Sequence, residues 1–278
     1  MFHSIIHRSM ILVGLLNSIN AEIIDSIKIC AIRVSFNEDD LASTTGSGNF
    51  LLESEGIDCG SYTIDPAAHD KDYFKSQIMA LDSYFSSVSY EKFGINIEGS
   101  DVFPSSQNGS YQLSKKMNYY NPYSENDLQE GRITELFQES IVTAYKEDSI
   151  NFSSFDLVVV FHAGIGQDFS LPFLDPTPED IPSTYVDQKM ISDNLNEAGI
   201  IIEEHLIDRG IILPETQNHL LYDISESMFG DAADPCEYQY GLTGTFALMV
   251  GFAIGLPPLW NVESGESRVG VFGLMDQG

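Results

Sequence analysis

Gly241 to Leu256 reads GLTGTFALMVGFAIGL, sixteen residues with no charge and no His, Cys or Asn, closed at once by Pro257 and Pro258. A helix that is apolar all round has to be enclosed by protein or by lipid. Three placements compete. A membrane span has Gly251 and Gly255 at the spacing of a close-packing pair, but a bilayer needs roughly 20 residues. A buried core helix is the plain reading. The third is a core helix standing where a related enzyme would carry its active-site helix.

Charge narrows the partners. The chain holds 42 acidic and 13 basic residues, a net charge of -29. A phosphate backbone or an anionic membrane surface would be repelled over most of such a surface, so nucleic acid is not an expected partner. Most of these carboxylates read as a solvated face. The sharper reading is calcium, a hard cation that takes oxygen ligands. The acidic loops Asn37 to Asp40, Asp175 to Asp180 and Asp231 to Glu237 are its candidates, although none has the spacing of a known calcium loop.

The N-terminus reads as a signal peptide over residues 1–21. His7 and Arg8 precede a short apolar core, Met10 to Leu16, and Ser18-Ile19-Asn20-Ala21 is a cleavage site with a small residue at its end. A buried N-terminal strand is the competing reading. Export implies a protein secreted from a bacterium or held on its surface, with no membrane span in the mature chain. It also permits a disulfide. The three cysteines are an odd number without metal-ligand spacing. Cys59 and Cys236 lie in loop-like surroundings and are a candidate pair, whereas Cys30 sits in an apolar strand and reads as a buried thiol.

Ile27 to Phe36 predicts a strand and residues 37–70 a long loop. Phe74, Ile78, Leu81 and Phe85 predict a helix over Lys71 to Val88. Phe93, Ile95 and Ile97 alternate as in a half-buried strand. Pro104 to Pro122 reads as a loop. Ser124 and Asp127 form a capping-box pattern ahead of a helix whose inner face is Ile133, Leu136, Phe137, Ile141 and Ala144. Leu157 to Phe161 is the continuous run of a central strand buried on both faces. A loop with Pro172, Pro176, Pro178 and Pro182 follows, and Tyr185 to His219 has no clear pattern. Strand, helix, strand, helix, strand over residues 27–162 predicts an α/β sheet with helices on its faces.

Gly255-Leu256-Pro257 after the apolar helix, and Gly273-Leu274-Met275 after a glycine-containing loop, resemble the immune inhibitor A family of secreted bacterial metallopeptidases. Its active-site helix reads His-Glu-x-x-His-x-x-Gly-Leu-Pro-Asp, and a Leu-Met turn lies beneath the metal. Thr44-Thr45-Gly46-Ser47-Gly48, Asp72-Tyr73-Phe74, Val102-Phe103-Pro104 and Leu157 to Gly164 also look like that family, in the same order. The resemblance implies a metzincin-like α/β domain over residues 22–278. It would have a mixed, mostly parallel twisted sheet, flanking helices and an apolar helix equivalent to the active-site helix. The family's domain normally continues past the turn, so the resemblance implies truncation at the C-terminus.

The departures from the family pattern fall on its chemistry. Its two helical histidines correspond to Leu248 and Phe252, its glutamate to Met249, and its aspartate to Pro258. Zinc needs nitrogen, oxygen or thiolate ligands, and the metal-bound water needs a base; these side chains supply neither. No zinc is expected. Met275 is the Met-turn candidate. The function read from the sequence is an exported, catalytically inactive metallopeptidase-like domain that binds a protein or peptide ligand or serves as a structural part. The alternative is a metal-dependent endopeptidase or other hydrolase with a relocated site near His162 and Asp168, at the carboxyl end of the central strand, where ligands of open α/β sheets gather. Against it stands His162 as a structural histidine bonded to a loop carbonyl. Glu203-Glu204-His205 is a second cluster and reads as a solvated face.

Overall fold

The computed structural model describes residues 26–54, 56–123, 125–168, 175–222, 224, 230, 234–262, 264–270 and 273–277. The signal peptide, the Ser124 cap, residues 169–174 of the Pro172 loop, and the start of the Asp231 loop lie outside these residues.

One six-stranded sheet organises the chain. Its order is β4 (Asp101–Phe103), β2 (Ile29–Ser35), β6 (Leu157–Ile165), β10 (Gly210–Thr216) and β7 (Thr184–Val186), with β5 (Tyr111–Gln112) also on β2. All pairings are parallel except that of β7 with β10. The sheet is therefore mixed and mostly parallel. The all-apolar run at Leu157 extends to nine buried residues, as a parallel strand covered on both faces requires.

The two faces bury different cores. Cys30, Ile32, Val34, Val158, Val160 and Ile212 face α3 (Asn126–Asp148) and α4 (Gln188–Leu195). Ile29, Ala31, Val159, Phe161, Ile211 and Leu213 face α1 (Lys71–Val88) and α5 (Leu242–Ala253). Helix α1 forms where its four apolar positions predict, and Asp70 caps it by accepting the amides of Asp72 and Tyr73. Among the described residues no helix is long and apolar enough to cross a membrane.

Three expectations are corrected. The stretch Phe93 to Ile97 forms only the two-residue β3 (Gly94–Ile95), paired with β1 (Ser26–Ile27). The Pro104 loop contains β5 and the short α2 (Met117–Tyr120), because Leu113, Met117 and Tyr120 have an apolar sheet face to cover. Helix α3 starts at Asn126, and Glu125 before it makes no side-chain cap. The patternless stretch from Tyr185 holds β7, α4, the hairpin β8 (Ile200–Ile202) and β9 (His205–Ile207), and the interior strand β10. Strand β10 escapes a pattern search because Ile211-Ile212-Leu213 is its whole apolar run. Pro214 and the buried Glu215 follow, with a register shift between Pro214 and Thr216.

Cys59 and Cys236 form a disulfide across 177 positions of sequence, and Cys30 is a buried free thiol. The short helix α6 (Leu274–Gln277) ends the described chain.

Candidate functional site

Helix α5 begins at Gly241, which has no side chain to cap it. Asp65 supplies the cap from a distant loop: its Oδ2 accepts the Leu242 amide at 2.7 Å. The helix buries Leu242, Phe246, Ala247, Met249, Val250 and Gly251. Met249 therefore belongs to the sheet-facing core. Leu248 and Phe252 are half-buried and keep some surface. The Phe252 ring stacks on Tyr185 of β7 with centroids 6.2 Å apart and meets Trp260 edge-on at 5.6 Å. Met249 is part of the sheet-facing core, Leu248 and Phe252 pack against it, and Phe252 also joins Tyr185 and Trp260 in an aromatic cluster that keeps some surface.

Pro258 is exposed. Met275 is buried beneath the helix, where its Sδ would lie 2.4 Å from a Cβ built on Gly251. The Leu259 amide donates to the Met275 carbonyl at 2.6 Å. Leu248, Met249, Phe252 and Pro258 do not fit a zinc ion, since none offers a nitrogen, a carboxylate or a thiolate. Among the described residues, no group of three or more His, Cys, Asp or Glu side chains is placed to hold a metal. In the loops singled out for calcium, Asp39 accepts from the Leu41 amide and the Thr44 hydroxyl. Asp180 accepts from the Thr45 amide and hydroxyl.

His162 and Asp168 do not form a joint site. His162 is completely buried on the α3 face, 6.0 Å from the Phe36 ring, with Nδ1 2.9 Å from the Ala163 carbonyl. Burial pushes its pKa down to about 4, against the pull of that carbonyl. Asp168 is exposed and is held by the Ser183 amide at 2.9 Å, the Ser183 hydroxyl at 2.7 Å and the Gln217 side chain at 2.5 Å. Glu203 and His205 sit at the tip of the β8–β9 hairpin, where Tyr145 donates to Glu203.

The polar centre lies elsewhere, at the carboxyl ends of β6 and β10. Glu215 is fully buried there. Its Oε1 accepts from the Gly164 amide at 2.6 Å and from the Tyr222 hydroxyl. Its Oε2 accepts from the Leu51 amide at 2.8 Å and lies 2.7 Å from His69 Nδ1. The other ring nitrogen, Nε2, is 2.9 Å from the Asp65 carbonyl oxygen, and the ring stacks on Tyr73 at 4.4 Å. The Tyr73 hydroxyl donates to the Glu215 carbonyl. Neither His69 nor Glu215 stands out in the sequence: each is a lone polar residue in an irregular stretch, and only the fold brings them together.

A groove of about 610 Å³ opens beside this centre, walled by Gly46, Ser47, residues 49–53, Gly56, Leu221 and Tyr222. Leu51 and Tyr222 thus bond to Glu215 on one side and border the groove on the other. Comparison with protein-family models, curated proteins and solved structures returns no match for this chain. The arrangement offers enclosed charge, a polar groove and an aromatic surface on α5. It does not offer a solvent-accessible nucleophile beside a base at the positions the sequence singles out.

Proposed function

We propose that this chain is an exported metallopeptidase-like domain, metzincin-like in its scaffold, which has no peptidase activity and acts by binding a protein or peptide ligand. The observation that carries the reading is the contact of Met275 with Gly251 beneath α5. The Leu-Met turn of the resembled family lies under its active-site helix, and here a Leu-Met turn packs under an apolar helix. The positions that would carry ligands hold Leu248 and Phe252, and the position of the base holds Met249. The Cys59–Cys236 disulfide supports an oxidising compartment outside the cytosol. The binding surface in this reading is the half-buried cluster of Tyr185, Phe252 and Trp260, since aromatic groups that keep one face open are favoured at interfaces.

Metal analysis of the purified protein, run beside a general protease assay, tests the reading. The expected result is no bound zinc and no chelator-sensitive cleavage. One zinc per chain with chelator-sensitive proteolysis would overturn it.

A further inference from the structure

We propose that His69 is a proton switch that controls the N-terminal cap of α5 through Asp65, a role that stands independently of the reading above. The hydrogen-bond geometry fixes the protonation state. Glu215 has four partners, two on each oxygen: the Gly164 amide and the Tyr222 hydroxyl on Oε1, the Leu51 amide and His69 Nδ1 on Oε2. One hydrogen lies between Oε2 and His69 Nδ1. An imidazole is a stronger base than a carboxylate, so that hydrogen sits on Nδ1. Nε2 faces a carbonyl oxygen, which only accepts, so it must carry one as well. His69 is thus an imidazolium held between a carboxylate and a carbonyl. Its pKa is raised: burial acts against the charge and the bond to Glu215 outweighs it.

Loss of one proton leaves a single N–H on the ring. The hydrogen bond to the carboxylate is charge-assisted and the stronger of the two, so Nδ1 keeps its hydrogen. Nε2 then turns a lone pair toward the Asp65 oxygen, and that contact becomes repulsive. Asp65 is poised to respond. It sits at φ 51, a left-handed conformation that a non-glycine residue keeps only when its surroundings hold it. Its side chain accepts from Gln77 and Thr216 as well as from Leu242, the first residue of α5. Gly241 cannot replace that cap. Freeing the Asp65 backbone therefore uncaps the helix.

The movement is confined to one end of a strap. Residues 57–64 remain fixed by the Cys59–Cys236 disulfide, by the Ile64 amide on Gln239 and by Asn218 on the Ile64 carbonyl. The groups facing His69 are Glu215 from β10, Asp65 from the strap and Tyr73 from α1. Tyr222 reaches it through Glu215.

The test is NMR on the intact protein, following the His69 ring resonances and the hydrogen exchange of the Leu242 amide as pH is raised. With exchange rates divided by their intrinsic values, protection of Leu242 should fall in step with the His69 titration. The fall should be about tenfold for each unit by which the folded pKa exceeds that of the opened state. His69→Gln should remove the step. Asp65→Gly, which removes the capping side chain and tolerates the left-handed backbone, should leave His69 titrating while Leu242 is weakly protected at every pH. Because His69→Gln is a buried change that can fail to fold, the wild-type coincidence and Asp65→Gly are sufficient on their own. The proposal is overturned if His69 titrates without any change at Leu242, if it does not titrate before the fold is lost, or if the step survives in His69→Gln.

Discussion

Gly251 and Met275 touch so closely that a Cβ on the glycine would lie 2.4 Å from the methionine Sδ. A side chain at position 251 would force the Met275 thioether to shift from its place beneath α5. Ala favours an exposed helix over Gly by about 1 kcal/mol, but overpacking a filled contact costs about 1–3 kcal/mol. Gly251→Ala should therefore lower stability in denaturant unfolding. Gly244 lies on the same helix with nothing within 4 Å of its missing Cβ. Gly244→Ala should raise stability by roughly 0.5–1 kcal/mol. Equal effects of the two changes would mean that the turn does not press on the helix.

The sequence made α1, the inner face of α3, the central strand β6 and the apolar α5 legible, because each carries a periodic or continuous apolar signal that burial enforces. It also pointed to Cys59 with Cys236 as a candidate pair. Strand β10 was not legible, since its apolar run is three residues long and its continuation is Pro214 and a buried Glu215. The polar centre was hidden for a different reason. His69, Gly164, Glu215 and Tyr222 are brought together by strand order, and no spacing along the chain records that. His162 was visible as a histidine ending a strand, and its burial against Phe36 matches the structural reading weighed beside the catalytic one.

The His69–Glu215 pair is enclosed on all sides. Removing one partner strands the other as a buried charge, a loss of about 3–5 kcal/mol. Glu215→Leu should show a loss of this order in denaturant unfolding. Combined with His69→Phe, which removes the stranded charge, it should cost less than the sum of the two single changes. Strict additivity would show that the two groups do not act as a pair.

Stability should peak near pH 6.5. His162 and His219 are each pushed down to about 4 by burial. Their contribution is complete above the ordinary histidine range and is lost as pH falls through about 4. Asp180 is pushed up to about 7, also by burial, against its bonds from Thr45. Its contribution is complete below the ordinary carboxylate range and is lost as pH rises through about 7; His69, also raised, adds a loss in the same direction. Between pH 4 and 6.5 the two histidines outweigh Asp180 and stability rises with pH. Above 6.5 the sign reverses. Each proton is worth about 1.4 kcal/mol per pH unit. Unfolding free energies across this range in the wild type and in Asp180→Asn check the assignment: between about pH 5 and 6.5 the rise should be steeper in the variant by about one proton.

The Cys59–Cys236 disulfide joins the strap ahead of α1 to the segment that leads into α5. Closing so long a loop constrains the unfolded chain, and its removal typically costs about 2–5 kcal/mol. The same two segments are also tied in the folded state by Gln239, which accepts from the Ile64 amide at 2.7 Å and donates to the Tyr62 carbonyl at 3.1 Å. Reduction should therefore lower the unfolding midpoint while leaving the strap in place at room temperature. Cys59→Ser and Cys236→Ser should each match the double substitution, since either one removes the whole cross-link. Adding Gln239→Ala to the double substitution should release the strap, read as rapid hydrogen exchange at the Ile64 amide. If Ile64 stays protected in that triple variant, the strap is held by the Asn218 and Asp65 contacts, and the cross-link acts on the unfolded chain alone.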